Sequence, residues 1–160
     1  MRRFVVLFIA AAVAFTFFVN GKSAVAADSG KEKEKWEVIF VSVDEGKTLT
    51  YYGNPESVSA TPEKTVKMWV KTVGEKGGKF FSDRQRMLKT AGKDETRYHY
   101  TKMLWEMDCK KKKFKVLSIT ENDDKGNVIA AADYPKNEWL EAGPTAVSNS
   151  VIEFACGKGK

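Results

Sequence analysis

The sequence predicts an α+β domain that is mainly β: an antiparallel sheet with a C-terminal helix tied to it by one disulfide. Three observations carry this. Short stretches rich in β-branched and aromatic residues recur between clusters of Gly, Asn, Asp and Pro. Near the C-terminus, Val147, Val151, Phe154 and Ala155 follow helical spacing, with Ile152 and Cys156 alongside. The chain has 2 cysteines, Cys109 at the end of a strand-like stretch and Cys156 in that helical one, and 2 cysteines permit one intramolecular pairing.

The elements follow in order. Trp36 to Val43 reads as a strand, Asp44-Glu45-Gly46-Lys47 as a turn and Thr48 to Tyr52 as the return strand. Gly53-Asn54-Pro55-Glu56 is a second turn. Thr65 to Val73 alternates, with Val66, Met68 and Val70 on one face and Lys67, Trp69 and Lys71 on the other. Gly74 to Lys79 is a glycine-rich loop. Ser82 to Ala91 is a helix candidate, with Ser82 as N-cap and Gly92 at its end. Tyr98 to Cys109 is the longest strand signal. His99, Thr101, Met103, Trp105, Met107 and Cys109 share one parity, largely apolar, which points that row at the core. Lys110 to Lys112 forms a charged turn, Phe114 to Glu121 a strand, Asn122 to Asn127 a turn, and Val128 to Ala132 a further strand. Pro144-Thr145 opens the last helix, Thr145 to Ala155.

The N-terminus predicts the compartment. Met1-Arg2-Arg3 is a positive start, Phe4 to Val19 an uncharged apolar run, and Ala24-Val25-Ala26 a small-residue cleavage site. This is the three-part pattern of a secretory signal peptide over residues 1–26, with cleavage one residue later as the near alternative. The competing reading, an uncleaved anchor, needs about 20 apolar residues, more than this run supplies. No cysteine lies near the site, so a lipoprotein is not expected. Removing the segment takes three cations and no acid, which lowers the net charge from +6 to +3 and weakens any case for a nucleic-acid partner. Residues 27–35 read as a charged, disordered lead-in, 36–157 as the folded domain and 158–160 as a flexible tail. In an oxidising compartment the two cysteines are expected to pair, closing a loop worth roughly 3–4 kcal/mol by loop entropy; the alternative is two free buried thiols.

No active site emerges. His99 is the sole histidine, flanked by Tyr98 and Tyr100 with no nucleophile or orienting carboxylate marked beside it, and is expected to be a partly buried packing residue. Neither cysteine lies in a CxxC pair, so no haem, zinc or dithiol redox centre is expected. The stretch Gly74 to Phe80 shares glycines and a lysine with a phosphate-binding loop but places Phe80 where a metal-holding hydroxyl is required. Glu121 to Gly126 shares acids and a glycine with a calcium loop but places Lys125 at a ligand position. No cofactor or metal is implied. Two features suit binding. Lys110, Lys111, Lys112 and Lys113 form the densest charge run, able to attract an anionic partner or to be a solvated turn. Trp69, between Lys67 and Lys71 and opposite the apolar row, is either a contact residue or covered by another layer, such as a helix near Arg84 to Leu88.

Trp36, followed at a distance by Leu104-Trp105-Glu106-Met107-Asp108-Cys109, resembles the signature of the surface-adhesin protein E family. Phe114 to Thr120 is similar to the strand that follows there, and Asp124-Lys125-Gly126-Asn127-Val128-Ile129 to its next turn. Glu138-Trp139, Pro144 and a helix ending at Cys156 are similar to its C-terminal portion. The resemblance spans roughly Trp36 to Cys156. It departs from the family pattern in the long charged stretch Ser82 to Thr96 and in Thr145-Ala146 after Pro144. The resemblance implies an exported envelope protein of Gram-negative bacteria, in the periplasm or at the cell surface. It also implies an antiparallel sheet with a disulfide-linked helix, no enzymatic activity, and adhesin-like binding of host matrix and plasma proteins. The partner expected from residues and resemblance together is a protein or an anionic envelope or matrix component. The competing expectation is an accessory or assembly subunit of an envelope complex.

Overall fold

The computed structural model describes residues 34–144 and 146–159. The signal-peptide reading and most of the lead-in lie outside the described residues. Strands β1 (Glu37–Asp44) and β2 (Lys47–Gly53) form a hairpin whose tip residues Glu45 and Gly46 both have positive φ (49° and 74°), the conformation a tight hairpin turn demands. A short 3-10 turn, Pro55–Ser57, follows, its first turn capped by the Asn54 side chain, which accepts from the Glu56 N–H at 3.0 Å. Then come β3 (Ser59–Ala60), β4 (Val66–Gly74), α1 (Lys79–Thr90), a second 3-10 turn (Glu95–Arg97), β5 (Tyr100–Asp108), β6 (Lys113–Asn122), β7 (Val128–Asp133), β8 (Leu140–Glu141) and α2 (Val147–Lys158).

All pairings are antiparallel, and the long strands lie in the order β1-β2-β4-β5-β6-β7. The two short strands extend edges: β3 pairs with the start of β4, and β8 with the start of β6. The alternation expected for Val66 to Val73 is realised residue by residue in β4, and the register Val66↔Met107, Met68↔Trp105, Val70↔Met103 and Thr72↔Thr101 joins its buried row to that of β5.

Both helices pack on this same face. Val151, Ile152 and Ala155 of α2, each 0% exposed, close over Val66, Met68, Val70, Met103, Trp105 and Met107. α2 lies very close to the sheet at Gly53, where an added Cβ would stand 2.7 Å from the Phe154 ring and 2.8 Å from Ile39 Cδ1. Cys109, just after β5, is bonded to Cys156 of α2, with Cα atoms 5.9 Å apart, as expected. α1 covers the other end of the face. Its Phe81 and Leu88 bury with Tyr98 against Ile129 and Ala130. Beside them runs a buried polar chain. The Thr101 hydroxyl donates to Glu121 Oε2 at 2.6 Å, leaving its oxygen to accept from the Tyr98 hydroxyl at 2.9 Å, and Arg84 meets Glu121 Oε1 at 3.3 Å. Burial pushes the Glu121 carboxyl above the ordinary glutamate value against the opposing pull of Thr101 and Arg84, and pushes the Tyr98 phenol up to about 12.

Several expectations are corrected. α1 begins at Lys79, not Ser82, and its N-cap is Gly78 with no side-chain cap; Phe81 belongs to the helix because the core recruits it, while the half-buried Phe80 lies against Gly74. β5 begins at Tyr100, and His99 is exposed rather than partly buried, because the chain leaves the 3-10 turn before the sheet's alternation begins. α2 begins at Val147 after an Ala146 N-cap and runs to Lys158, one residue into the stretch expected as a tail. Its last lysine pairs with Glu37 at 3.2 Å.

Candidate functional site

Both helices lie on one side, so strand alternation places a second row of side chains on an uncovered face. From β4 it takes Lys67, Trp69 and Lys71, and the register sets these opposite Glu106, Leu104 and Lys102 of β5. Tyr52 of β2 stands opposite Lys71 and brings its ring to the same face. Trp69 is half-buried, and α1, the covering layer expected as the alternative, packs on the opposite side of the sheet. That alternative is therefore set aside.

At one end of the face the Lys71 ammonium stands among three rings, 4.6 Å from the centroid of Trp36, 4.8 Å from Tyr52 and 5.7 Å from Tyr100. Burial among them holds Lys71 below the ordinary lysine value; Glu34 opposes this and the neighbouring Lys102 adds to it. Lys102 in turn lies 5.4 Å from the Trp69 ring and 5.6 Å from Trp36, geometry at which a ring face attracts a cation. Glu34, expected in a disordered lead-in, is here bound: one carboxylate oxygen meets Lys102 Nζ at 2.8 Å, and the other accepts the Trp36 indole N–H at 3.2 Å.

At the other end is an open cleft of ≈ 430 Å³, bordered by Lys67, Glu106, Asp108, Lys111, Lys115 and Trp139. Glu106 is buried at its floor, accepting from the Thr65 hydroxyl at 2.7 Å and pairing with Lys115 at 3.2 Å. Lys115 sits 4.7 Å from the Trp139 ring centroid. Asp108 accepts the backbone N–H groups of Lys111 and Lys110, both at 3.0 Å, which holds its carboxyl below the ordinary value and fixes the start of the lysine turn.

The lysine run is thus divided. Lys111 reaches the cleft and its own Asp108 at 3.9 Å. Lys112 turns to Glu153 of α2 at 3.7 Å, and Lys113 to Glu141 of β8 at 3.3 Å. Lys110 is exposed, with no acid within ion-pair range among the described residues. The structure brings Lys67, Trp69 and Lys71 into one row and Lys111 to its end, while Lys112 faces elsewhere. Sequence reading missed Trp36, Tyr52, Tyr100, Lys102 and Lys115 as members of this face. Tyr100 and Lys102 were available from the alternation of β5, since they fall between the apolar residues; Tyr52 required the register of β2 on β4.

His99 lies at a separate open cleft of ≈ 590 Å³ with Lys76, Arg97, Asp123 and Lys125. Of the two acids there, Asp124 is exposed and Asp123 is fully engaged in the β6–β7 turn. It accepts from the Asn127 side chain at 2.9 Å, the Arg97 guanidinium at 2.6 Å and the N–H groups of Lys125 and Asn127, which together hold it well below the ordinary aspartate value. Among the described residues no group of His, Cys, Asp and Glu could hold a metal ion.

The Asp-Cys end of β5, the cystine it makes to the last helix and the antiparallel sheet between them agree with a family model for surface-adhesin protein E, which matches residues 40–157. The chain belongs to the surface-adhesin protein E family. No curated protein and no solved structure matches it significantly. Membership in the surface-adhesin protein E family suggests an exported, surface-associated protein with an adhesin-like rather than an enzymatic role. Among the described residues, no helix is long and apolar enough to cross a membrane.

Proposed function

We propose that the chain is a non-enzymatic binding module of the bacterial envelope. In this reading it is exported by cleavage after Ala26 and engages a protein ligand through the uncovered face of its sheet. Trp69 supplies desolvated contact area between Lys67 and Lys71, and Lys110 to Lys113 add long-range attraction for an acidic surface, with Lys110 contributing most because Lys111, Lys112 and Lys113 already face acids. The observation that carries the reading is the sidedness of the sheet. Both helices and the cystine are spent on one face, and the other keeps a tryptophan and a row of lysines without a layer above them. The experiment is kinetic, on immobilised host matrix and plasma proteins. Saturable binding is expected. Trp69→Ala should speed dissociation and weaken binding about tenfold or more at any salt concentration. Replacing the four lysines with glutamine should slow association, an effect that shrinks as salt rises. Absence of binding, or an unaltered dissociation rate in Trp69→Ala, overturns the reading.

A second reading, a periplasmic accessory or assembly subunit, is favoured by one observation. Val38, Val41 and Val43 on the edge strand β1 are 57%, 52% and 70% exposed, an apolar row that suits a standing partner better than a transient one. Protease added to intact cells separates the two: cleavage supports an adhesin, and protection until the outer membrane is opened supports the subunit.

A further inference from the structure

The uncovered face contains an arrangement that stability alone does not explain. Lys71 and Lys102 stand directly opposite each other on adjacent strands. Like charges in that relation repel, and Lys102 acts on Lys71 in that sense. The surrounding rings of Trp36, Tyr52, Tyr100 and Trp69 offset part of this by presenting their faces to the two ammonium groups. The remaining deficit is met by an anion, the carboxylate of Glu34. It comes from the coil two residues ahead of Trp36, not from a strand or helix. Its two oxygens are held by two different donors, an ammonium at 2.8 Å and an indole N–H at 3.2 Å. The pair remains solvent-accessible, with side-chain exposures of 20% for Lys102 and 41% for Glu34. An ion pair of that kind is weak enough to exchange.

We propose that Lys71, Lys102 and the Trp36 indole form a carboxylate-binding subsite for an acidic segment of a protein ligand, and that Glu34 fills it as an internal stand-in until the ligand arrives. The inference deepens the proposed function and rests on the uncovered face being the binding surface. An acidic peptide fits better than an acidic sugar. Sugar recognition on a flat surface uses ring faces for stacking, and here the ring faces are engaged by ammonium groups. What is left to offer a ligand is charge and one N–H donor, the chemistry that receives a carboxylate side chain.

The test is a fluorescence titration of the purified chain with an acetylated, amidated oligoglutamate peptide at low ionic strength. An oligoglutamine peptide and an oligogalacturonate serve as comparison probes. Glu34→Gln removes the stand-in and should tighten oligoglutamate binding about two- to fivefold, the range an exposed ion pair spans. Lys102→Gln should weaken it about fivefold and, in the double variant, abolish the gain from Glu34→Gln. Oligoglutamine should not bind. Lys102→Gln lies on the uncovered face and should leave the thermal midpoint nearly unchanged; if it unfolds the chain, Lys71→Gln carries the same expectation. The subsite is overturned if Glu34→Gln leaves affinity unchanged or lowers it, or if the gain survives in the double variant. Oligogalacturonate binding as tightly, with the same dependence on Lys102, overturns the assignment to a protein segment. Loss of matrix-protein binding in Trp69→Ala together with an inert Glu34→Gln refutes the subsite and leaves the proposed function standing. Oligoglutamate binding that responds to Glu34 without any matrix-protein binding does the reverse.

Discussion

The two faces of the sheet are built from the same strands but by different chemistry. On the helix side β4 contributes Val66, Met68, Val70 and Thr72, and an exposure of 0% at Met68 and Val70, and at Met107 of β5 opposite Val66, leaves no room for exchange. On the other side the same strand contributes Lys67, Trp69 and Lys71, the last two in cation–ring contacts, beside Lys102 of β5, whose ion pair with Glu34 remains partly open to water. Packed apolar atoms fix a position through many short contacts and exclude alternatives. A lysine beside a ring has several ways to stay nearby. One face therefore specifies the fold, and the other leaves its side chains more than one arrangement.

The comparison is broken most severely from the helix side. Ile152→Ala removes a fully buried side chain from the contact between α2 and the sheet and should cost about 2–5 kcal/mol in a denaturant titration. A loss under about 1 kcal/mol would mean that α2 contributes little to the core. Gly53→Ala probes the same contact by overfilling it. The added methyl meets Phe154 and Ile39 and should cost about 1–3 kcal/mol unless the Phe154 ring rotates away. An unchanged melting temperature would show that ring to be loosely held.

The smallest effect separates the faces by pH. Glu121 on the helix side has a folded-state pKa raised by burial, so the folded chain takes its proton first. Relative to Glu121→Gln, stability should rise as pH falls through the raised value towards the ordinary glutamate value of about 4.3. Lys71 on the uncovered side has a lowered folded-state pKa. Relative to Lys71→Met, stability should rise as pH climbs through the lowered value towards the ordinary lysine value of about 10.4. Thermal melts of the three proteins across pH read both signs. A flat difference for either pair would show that its charge is well solvated.

The helix-side face was legible in the sequence because alternation writes it directly: Val66, Met68 and Val70, then Thr101, Met103, Trp105 and Met107, fall into rows before any register is known. The cystine was legible because two cysteines leave one choice. The start of α1 was not, since Gly78 caps it without a side-chain oxygen and Ser82 offered a better-looking cap inside the helix. The strands Ser59–Ala60 and Leu140–Glu141 are too short to carry a pattern. The Lys71 enclosure was illegible for a different reason. Its rings come from residues 36, 52 and 100, and what unites them is the pairing of three strands, which no local stretch encodes. Alternation could place Lys71 and Trp69 of β4, and Tyr100 and Lys102 of β5, each on a face of its own strand, but not beside one another.

The bond between Cys109 and Cys156 also divides the chain mechanically. It spans a sequence separation of 47 that takes in β6, β7, β8 and most of α2. A protein pulled by its ends can surrender as length only what lies outside that covalent ring. The ring withholds about 160 Å of the extension a reduced chain would give, at about 3.4 Å per residue. Under load, β1 to β5 are the part that can peel away. They carry Trp69, Lys71 and Lys102, so tension sufficient to unravel the chain would dismantle the uncovered face while the closed ring stayed intact.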